Sequence, residues 1–302
     1  MQALYDSKYP ILIQGETGTG KTLLAKKIHQ RSIRSNQNFI QCNLAGLTHS
    51  LFESELFGHL KGAFTGAIEN KVGFCEQVSG GTLFFDEIGE IDLNQQKKLL
   101  QLLDSGDFYK VGASVKTSFN GRFIFATHRN LEEMVERGEF REDLFHRLGG
   151  VAIRTKSLKE KSSTQREEIL EQFIEEIKLK NNLINIAFSS EVRSALIDYS
   201  WPGNYREMKN TLELLMLKKS FGVIEKESLP RKLLSIKTSS SDFKRQIELL
   251  ERKILVDELV NKGVGVNKAS KSLGISKTTL IAKLRKYGIS GHLEQRNTLK
   301  AA

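Results

Sequence analysis

One lysine, one threonine and two carboxylates carry the chemistry of this 302-residue chain. Lys21 and Thr22 close the run Gly15-Glu16-Thr17-Gly18-Thr19-Gly20-Lys21-Thr22. Its spacing, G-x-x-x-x-G-K-T, is that of a phosphate-binding loop. In such a loop the backbone amides and the following helix N-terminus cradle phosphate oxygens. Lys21 is expected to reach the β- and γ-phosphates, and Thr22 to offer its hydroxyl to Mg2+. Asp86 and Glu87 end a second segment, Gly80-Gly81-Thr82-Leu83-Phe84-Phe85, which reads as a turn and a buried strand. Asp86 is expected to hold Mg2+ and Glu87 to polarise an attacking water. Ligands of open α/β sheets bind at the carboxyl ends of strands, so the position suits both roles. Paired acids after a strand are also common in solvated turns. The loop upstream is what favours an ATP and Mg2+ site.

The elements that must place these residues follow from hydrophobic pattern. Ile11-Leu12-Ile13 precedes the glycine loop as a buried strand, and Leu23-Leu24-Ala25-Lys26-Lys27-Ile28 follows it as a helix. Apolar runs such as Phe39-Ile40 and Phe123-Ile124-Phe125-Ala126 alternate with helical patterns through about residue 154, which argues for a parallel α/β sheet. From Glu167 to Leu234 the pattern turns helical, with Ile169, Leu170, Phe173, Ile174 and Ile177 at a period of 3.6. Ser235–Asp242, rich in serine, reads as a linker. The expected organisation is an α/β nucleotide-binding subdomain over residues 1–154, a helical lid over 155–234, the linker 235–242, a DNA-binding unit over 243–289 and a tail over 290–302.

Composition narrows the class. Hydrophobic content of 39% supports folded cores, and three prolines with 27% charged residues suit helix-rich domains. Cys42 and Cys75 show no metal-binding spacing and read as reduced core thiols of a cytoplasmic protein. No apolar run reaches the length of a membrane span and no leader pattern opens the chain. The net charge is +10, and Phe243–Lys300 holds 13 Lys and Arg against 5 Asp and Glu. A basic terminal module points to nucleic acid, although solvated lysine faces are common.

Between the two nucleotide segments lies Gly62-Ala63-Phe64-Thr65-Gly66-Ala67. Two glycines allow a tight turn at positive φ, so the stretch suits a loop tip that pushes an aromatic outward. Taken alone it is equally a glycine-rich turn with Phe64 tucked into the core. With its flanks, from Glu55 to Ala67, it resembles the most specific motif of the bacterial enhancer-binding proteins, the AAA+ activators of RNA polymerase carrying sigma-54. The resemblance covers about Pro10 to Ile289. It implies that Gly62–Ala67 contacts sigma-54, with Phe64 and Thr65 at the contact positions. It further implies that Asn43 holds the catalytic glutamate, Glu87, that Arg141 and Arg147 are paired arginine fingers acting on a neighbouring subunit's γ-phosphate, and that Arg206, in Trp201-Pro202-Gly203-Asn204-Tyr205-Arg206-Glu207, faces nucleotide from the lid. The implied assembly is a homo-oligomeric ring, a hexamer in this family.

The resemblance has departures. His128 stands in Ala126-Thr127-His128 where the family carries Asn, and histidine changes the geometry and charge of that hydrogen bond. Thr22 replaces a family Glu and favours metal binding. Thr155–Lys161 is a degraded form of a proline- and arginine-rich stretch. About ten residues precede the first strand, where the family has a longer segment that helps wall the adenine pocket, and the expectation is that this space holds no receiver or other sensory domain. At the other end, Asn267–Leu280 has helix-turn-helix spacing, with Gly274 at the turn and Ser276 as helix cap. It resembles the Fis-type module of the same family. Ser276, Lys277, Thr278, Thr279 and Lys283 are expected at double-stranded DNA, while Leu280 and Leu284 belong to the core. The alternative for this module is a helical packing unit. For the whole chain the alternatives are an AAA+ ATPase of another class, such as a helicase loader, or a DNA-binding regulator whose ATPase is degenerate.

Overall fold

A computed structural model describes residues 5–183, 185–234, 251, 254–261 and 265–287. Met1–Leu234 forms one compact unit and Ser235–Ala302 a second.

Five parallel strands make the central sheet of the first unit. They are β1 (Ile11–Gln14), β2 (Phe39–Asn43), β5 (Thr82–Asp86), β8 (Arg122–Thr127) and β9 (Val151–Arg154), in the spatial order β2-β5-β8-β1-β9. Period-two alternation makes both faces apolar, because successive side chains point to opposite sides. Ile11, Ile13, Phe84, Ile124 and Ala126 face the helix α1 (Lys21–Gln30) with Ala25 and Ile28. Leu12, Leu83, Phe85, Phe123 and Phe125 face the other way, onto α2 (His49–Phe57), α3 (Leu93–Ser105) and α4 (Glu142–Leu148). Burial on both faces is why the central strands β1, β5 and β8 read as continuous apolar runs. Each parallel crossover also leaves its loop at the carboxyl edge of the sheet, where Gly15–Gly20, Asp86–Glu87 and His128 lie.

Two short hairpins project from this layer. β3 (Gly58–His59) pairs antiparallel with β4 (Lys71–Val72), and β6 (Asp107–Tyr109) with β7 (Lys116–Ser118). They lie side by side: the Leu60 amide donates to the Val111 carbonyl at 3.0 Å, and the Val111 amide to that of Gly58 at 2.9 Å.

The helical part of the first unit begins after β9. Its helices are α5 (Ser163–Asn181), α6 (Ser190–Asp198) and α7 (Asn204–Lys219), with a parallel strand pair β10 (Ile186–Phe188) and β11 (Gly222–Ile224). Ser162 and Gln165 close a reciprocal cap at the start of α5. One stripe of α5, Leu170, Ile174 and Ile177, is buried against Val192, Leu196, Met208 and Leu212, the consequence of its 3.6-residue periodicity. Trp201 is buried, and its indole nitrogen donates to the Leu196 carbonyl at 2.8 Å. Pro202 stays at the surface.

In the second unit, α8 (Val266–Ser272) and α9 (Lys277–Lys286) are joined through Gly274 at φ +65°. Leu255, Leu259, Ala269, Leu280 and Leu284 form their common core. Residues 243–250 of the expected DNA-binding unit, the linker 235–242 and the tail 290–302 lie outside the described residues. Among the described residues no helix is long and apolar enough to cross a membrane.

Candidate active site

The loop Gly15–Gly20 is shaped by positions that exclude a side chain. A Cβ at Gly15 would overlap the Thr155 hydroxyl, and one at Gly18 would overlap the Gly203 carbonyl oxygen. Gly18 and Gly20 take φ +79° and +87°, a region L-residues rarely adopt. Gly20 caps α1 without any side-chain hydrogen bond, so the first amides of that helix are left to an anion. Thr19 is fixed by its hydroxyl contact with Thr155 Oγ1 at 2.7 Å and with the Glu16 carbonyl at 2.8 Å.

Lys21 is only 6% exposed. Its ammonium donates to the carbonyls of Gly15 at 2.9 Å and Glu16 at 3.3 Å. Burial pulls its pKa below the ordinary lysine value, while Glu87 and Asp86 oppose that shift. A buried ammonium satisfied by loop carbonyls suits exchange of those partners for phosphate oxygens. Thr22 Oγ1 donates to Asp86 Oδ2 at 3.1 Å, which sets one hydroxyl and one carboxylate oxygen side by side. Among the described residues no cluster of three or more His, Cys, Asp or Glu could hold a metal. A divalent ion held at Thr22 and Asp86 would therefore complete its shell with phosphate and water oxygens, the habit of Mg2+. The residues present fit Mg2+ together with a polyphosphate.

These groups open into a cleft of about 420 Å3 between the sheet and the helical lid. Thr17, Gly18, Gly20, Lys21, Thr22, Asp86 and Glu87 line one wall; Phe173, Glu176, Tyr205, Arg206 and Lys209 line the other. Phe173 and Tyr205 meet edge to face at 6.4 Å, and the Lys209 ammonium lies 5.7 Å from the Phe173 ring centre. This lip offers an aromatic surface for a planar base. Arg206 is exposed to the cleft and lowers the Lys21 pKa by its charge.

Glu87 follows the strand with φ +60°, strained for a residue with a side chain. Its carboxylate accepts from the His128 backbone amide at 3.3 Å and contacts His128 Nδ1 at 2.7 Å. Asn43 was expected to hold Glu87, a bond that its amide nitrogen would donate. The Asn43 carboxamide oxygen accepts the Ala45 amide at 3.1 Å and caps the short turn after β2. That local bond engages the oxygen, as asparagine readily allows, and not the amide nitrogen that a carboxylate would need.

Arg141 and Arg147 do not line the cleft. Arg141 makes a two-pronged bond to Asp143, at 3.0 and 2.6 Å. Arg147 pairs with Asp104 at 3.1 Å and donates to the Leu103 carbonyl at 3.2 Å. Both are about half exposed, Arg141 at the cap before α4 and Arg147 on it.

The loop Gly62–Ala67 caps the β3–β4 hairpin. The Gly62 amide donates to the Ala67 carbonyl at 2.9 Å, with Gly62 and Gly66 at φ +82° and +108°. Phe64 is 43% exposed and rests edge-on against His59 at 5.0 Å; Ala63, Thr65 and Gly66 surround it at the tip. In the second unit the Ser276 hydroxyl accepts the Thr279 amide at 3.1 Å. Lys277, Thr278 and Thr279 are exposed, and Lys283 is bound to Glu251 at 2.7 Å.

Sequence reasoning assigned no part in the site to Phe173 and Tyr205, which line the cleft, or to Thr155 and Asn204, which hold its glycine loop. Only Asn204 carried a signal, as a non-glycine residue directly after Gly203 at a helix start.

The strand order, the glycine loop before α1 and the lid over its mouth define an AAA+ nucleotide-binding module. The model of the sigma-54 interaction domain matches residues 1–154, and that of the AAA+ ATPase lid domain matches residues 165–246. The chain belongs to the sigma-54 interaction domain family. It is 36% identical over 301 residues to nitrogen fixation protein AnfA of Azotobacter vinelandii, covering 96% of this chain and 56% of AnfA. It is 38% identical over 296 residues to regulatory protein AtoC of Escherichia coli, covering 94% and 63%. The chain thus spans less than two thirds of these relatives. NtrX from Brucella abortus in complex with ATP has a similar structure, with TM-score 0.70 and 29% identity over 95% of this chain and 65% of that one.

Proposed function

We propose that the chain is an ATP-driven transcription activator that binds upstream DNA and remodels the closed complex of RNA polymerase carrying sigma-54. One observation carries the reading: a cleft equipped for hydrolysis shares its module with a hairpin tip that exposes Phe64 and Thr65. Membership of the sigma-54 interaction domain family supports the partner, and the basic second unit supports DNA.

In this reading Lys21 and the loop amides bind and orient the ATP phosphates, and Thr22 and Asp86 hold Mg2+. The ion supplies positive charge to the phosphate oxygens as negative charge builds there. Glu87 orients the water and takes up its proton. Arg206 closes the lid side of the site. Arg141 and Arg147, after exchanging their own acids for a neighbouring subunit's phosphate, complete it in trans, so the active form is a ring, a hexamer in this reading. Hydrolysis changes the position of the Phe64–Thr65 tip against sigma-54. Ser276–Thr279 meet the major groove or its phosphates, and Lys283 joins them after leaving Glu251.

A second reading, a DNA-binding regulator that binds nucleotide without turning it over, is favoured by the His128–Glu87 bond, which ties up the carboxylate that must handle water. The two separate on ATPase rate per subunit against protein concentration, for the wild type and Arg147→Ala. A rate that climbs with concentration and collapses in the variant supports the ring. A flat, negligible rate with nucleotide bound favours the second reading.

A further inference from the structure

Asn204 is the first residue of α7, 1% exposed, with φ +51°. Its carboxamide bridges three segments. Nδ2 donates to Glu16 Oε2 at 3.1 Å and to the Thr17 carbonyl at 3.0 Å. Oδ1 accepts the Leu158 amide at 2.9 Å. The partners fix the orientation of the group, since two are acceptors and one is a donor. Asparagine also tolerates left-handed backbone better than most side chains. The neighbouring Gly203 carbonyl packs directly on Gly18, and Arg206, two residues further along α7, faces the cleft.

We propose that Asn204 is the positioning residue through which the lid reads the phosphate loop, relaying its occupancy by a nucleoside di- or triphosphate to Arg206. Phosphate binding redistributes the hydrogen bonds of Glu16 and Thr17, and the Asn204 amide is the lid group that both of them hold. The inference rests on the cleft being a nucleotide site.

Trp201, the chain's single tryptophan, lies buried three residues upstream and serves as a reporter. The full chain is titrated with Mg2+ and either ADP or a non-hydrolysable ATP analogue. Binding is measured by calorimetry and Trp201 emission is followed in parallel. The wild type is expected to bind both and to change its emission. Asn204→Asp turns a carboxylate onto Glu16 and the Thr17 carbonyl. It is expected to bind within about tenfold of wild type, a difference of roughly 1.4 kcal/mol, and to lose the emission response. Where that variant does not melt cooperatively, Glu16→Ala decides, from the exposed side of the bridge. It is expected to weaken the response, while Lys159→Ala, which breaks only the 2.7 Å ion pair to Glu16, keeps it. A wild-type response in the deciding variant with binding intact overturns the proposal, as does a wild-type chain that binds without any emission change. Failure of the wild type to bind either nucleotide sinks the nucleotide-site reading itself, a distinct result.

Discussion

The cleft and the Phe64 hairpin belong to one module and are built on opposite terms. In the cleft nearly every polar group already has a partner: Lys21 holds two carbonyls, Thr22 holds Asp86, His128 holds Glu87, and Asn204 ties loop to lid. At the hairpin tip Phe64 and Thr65 are exposed, held by a few turn bonds and one ring contact. Local stability follows contact density and buried hydrogen bonds. The cleft is therefore where displacement costs most and the tip where it costs least. A tight site joined to a loose tip lets a small rearrangement at the phosphates appear as a larger one at the surface.

The sharpest way to break this division is at Glu87. Glu87→Gln is expected to lower ATP turnover by about 10^2- to 10^4-fold, the range for a missing general base, with nucleotide still bound. Phosphate release and calorimetry on the same sample check this; retained turnover would remove Glu87 from the chemistry. Next in size, Phe64→Ala is expected to leave turnover within about twofold while weakening sigma-54 capture about 30-fold, the effect of losing one interface hot spot of roughly 2 kcal/mol. Capture is measured with immobilised sigma-54 in the presence of Mg2+ and an ATP analogue. If both variants lose the same property, cleft and tip are not separable.

What sequence alone made legible was local. The phosphate loop is eight consecutive residues between a strand and a helix, and the β5 strand announces itself by an unbroken apolar run ending in acids. The lid helices show their buried stripe directly. The contacts that finish the site are long-range. His128 reaches Glu87 across 41 positions and Asn204 reaches Glu16 across 188, and no periodicity records such a meeting. Asn43 shows the same limit from the other side. Its carboxamide oxygen accepts the Ala45 amide two residues away. It stands in the sheet as the register partner of Asp86, a neighbour that order along the chain does not reveal.

The smallest expected effects sharpen the comparison most, because they use the same substitution in both regions. Gly18 and Gly62 have nearly equal backbone angles, φ +79° and +82°. Alanine at either one carries the left-handed penalty of about 1–2 kcal/mol. Beyond that the two differ. A Cβ at Gly62 meets nothing within 4 Å, whereas one at Gly18 overlaps the Gly203 carbonyl oxygen, which is backbone and cannot rotate aside. Gly18→Ala must therefore push the phosphate loop and the lid apart, in addition to straining itself. It is expected to weaken ADP binding by at least about tenfold, or 1.4 kcal/mol, and to lower the melting temperature further than Gly62→Ala does. Gly62→Ala is expected to leave ADP affinity unchanged and to cost at most roughly 2–4 °C per kcal/mol of strain. Paired calorimetric titrations and thermal melts make the measurement. Equal losses at the two glycines would mean that backbone strain alone governs both, and that the packing of loop on lid adds nothing to nucleotide binding.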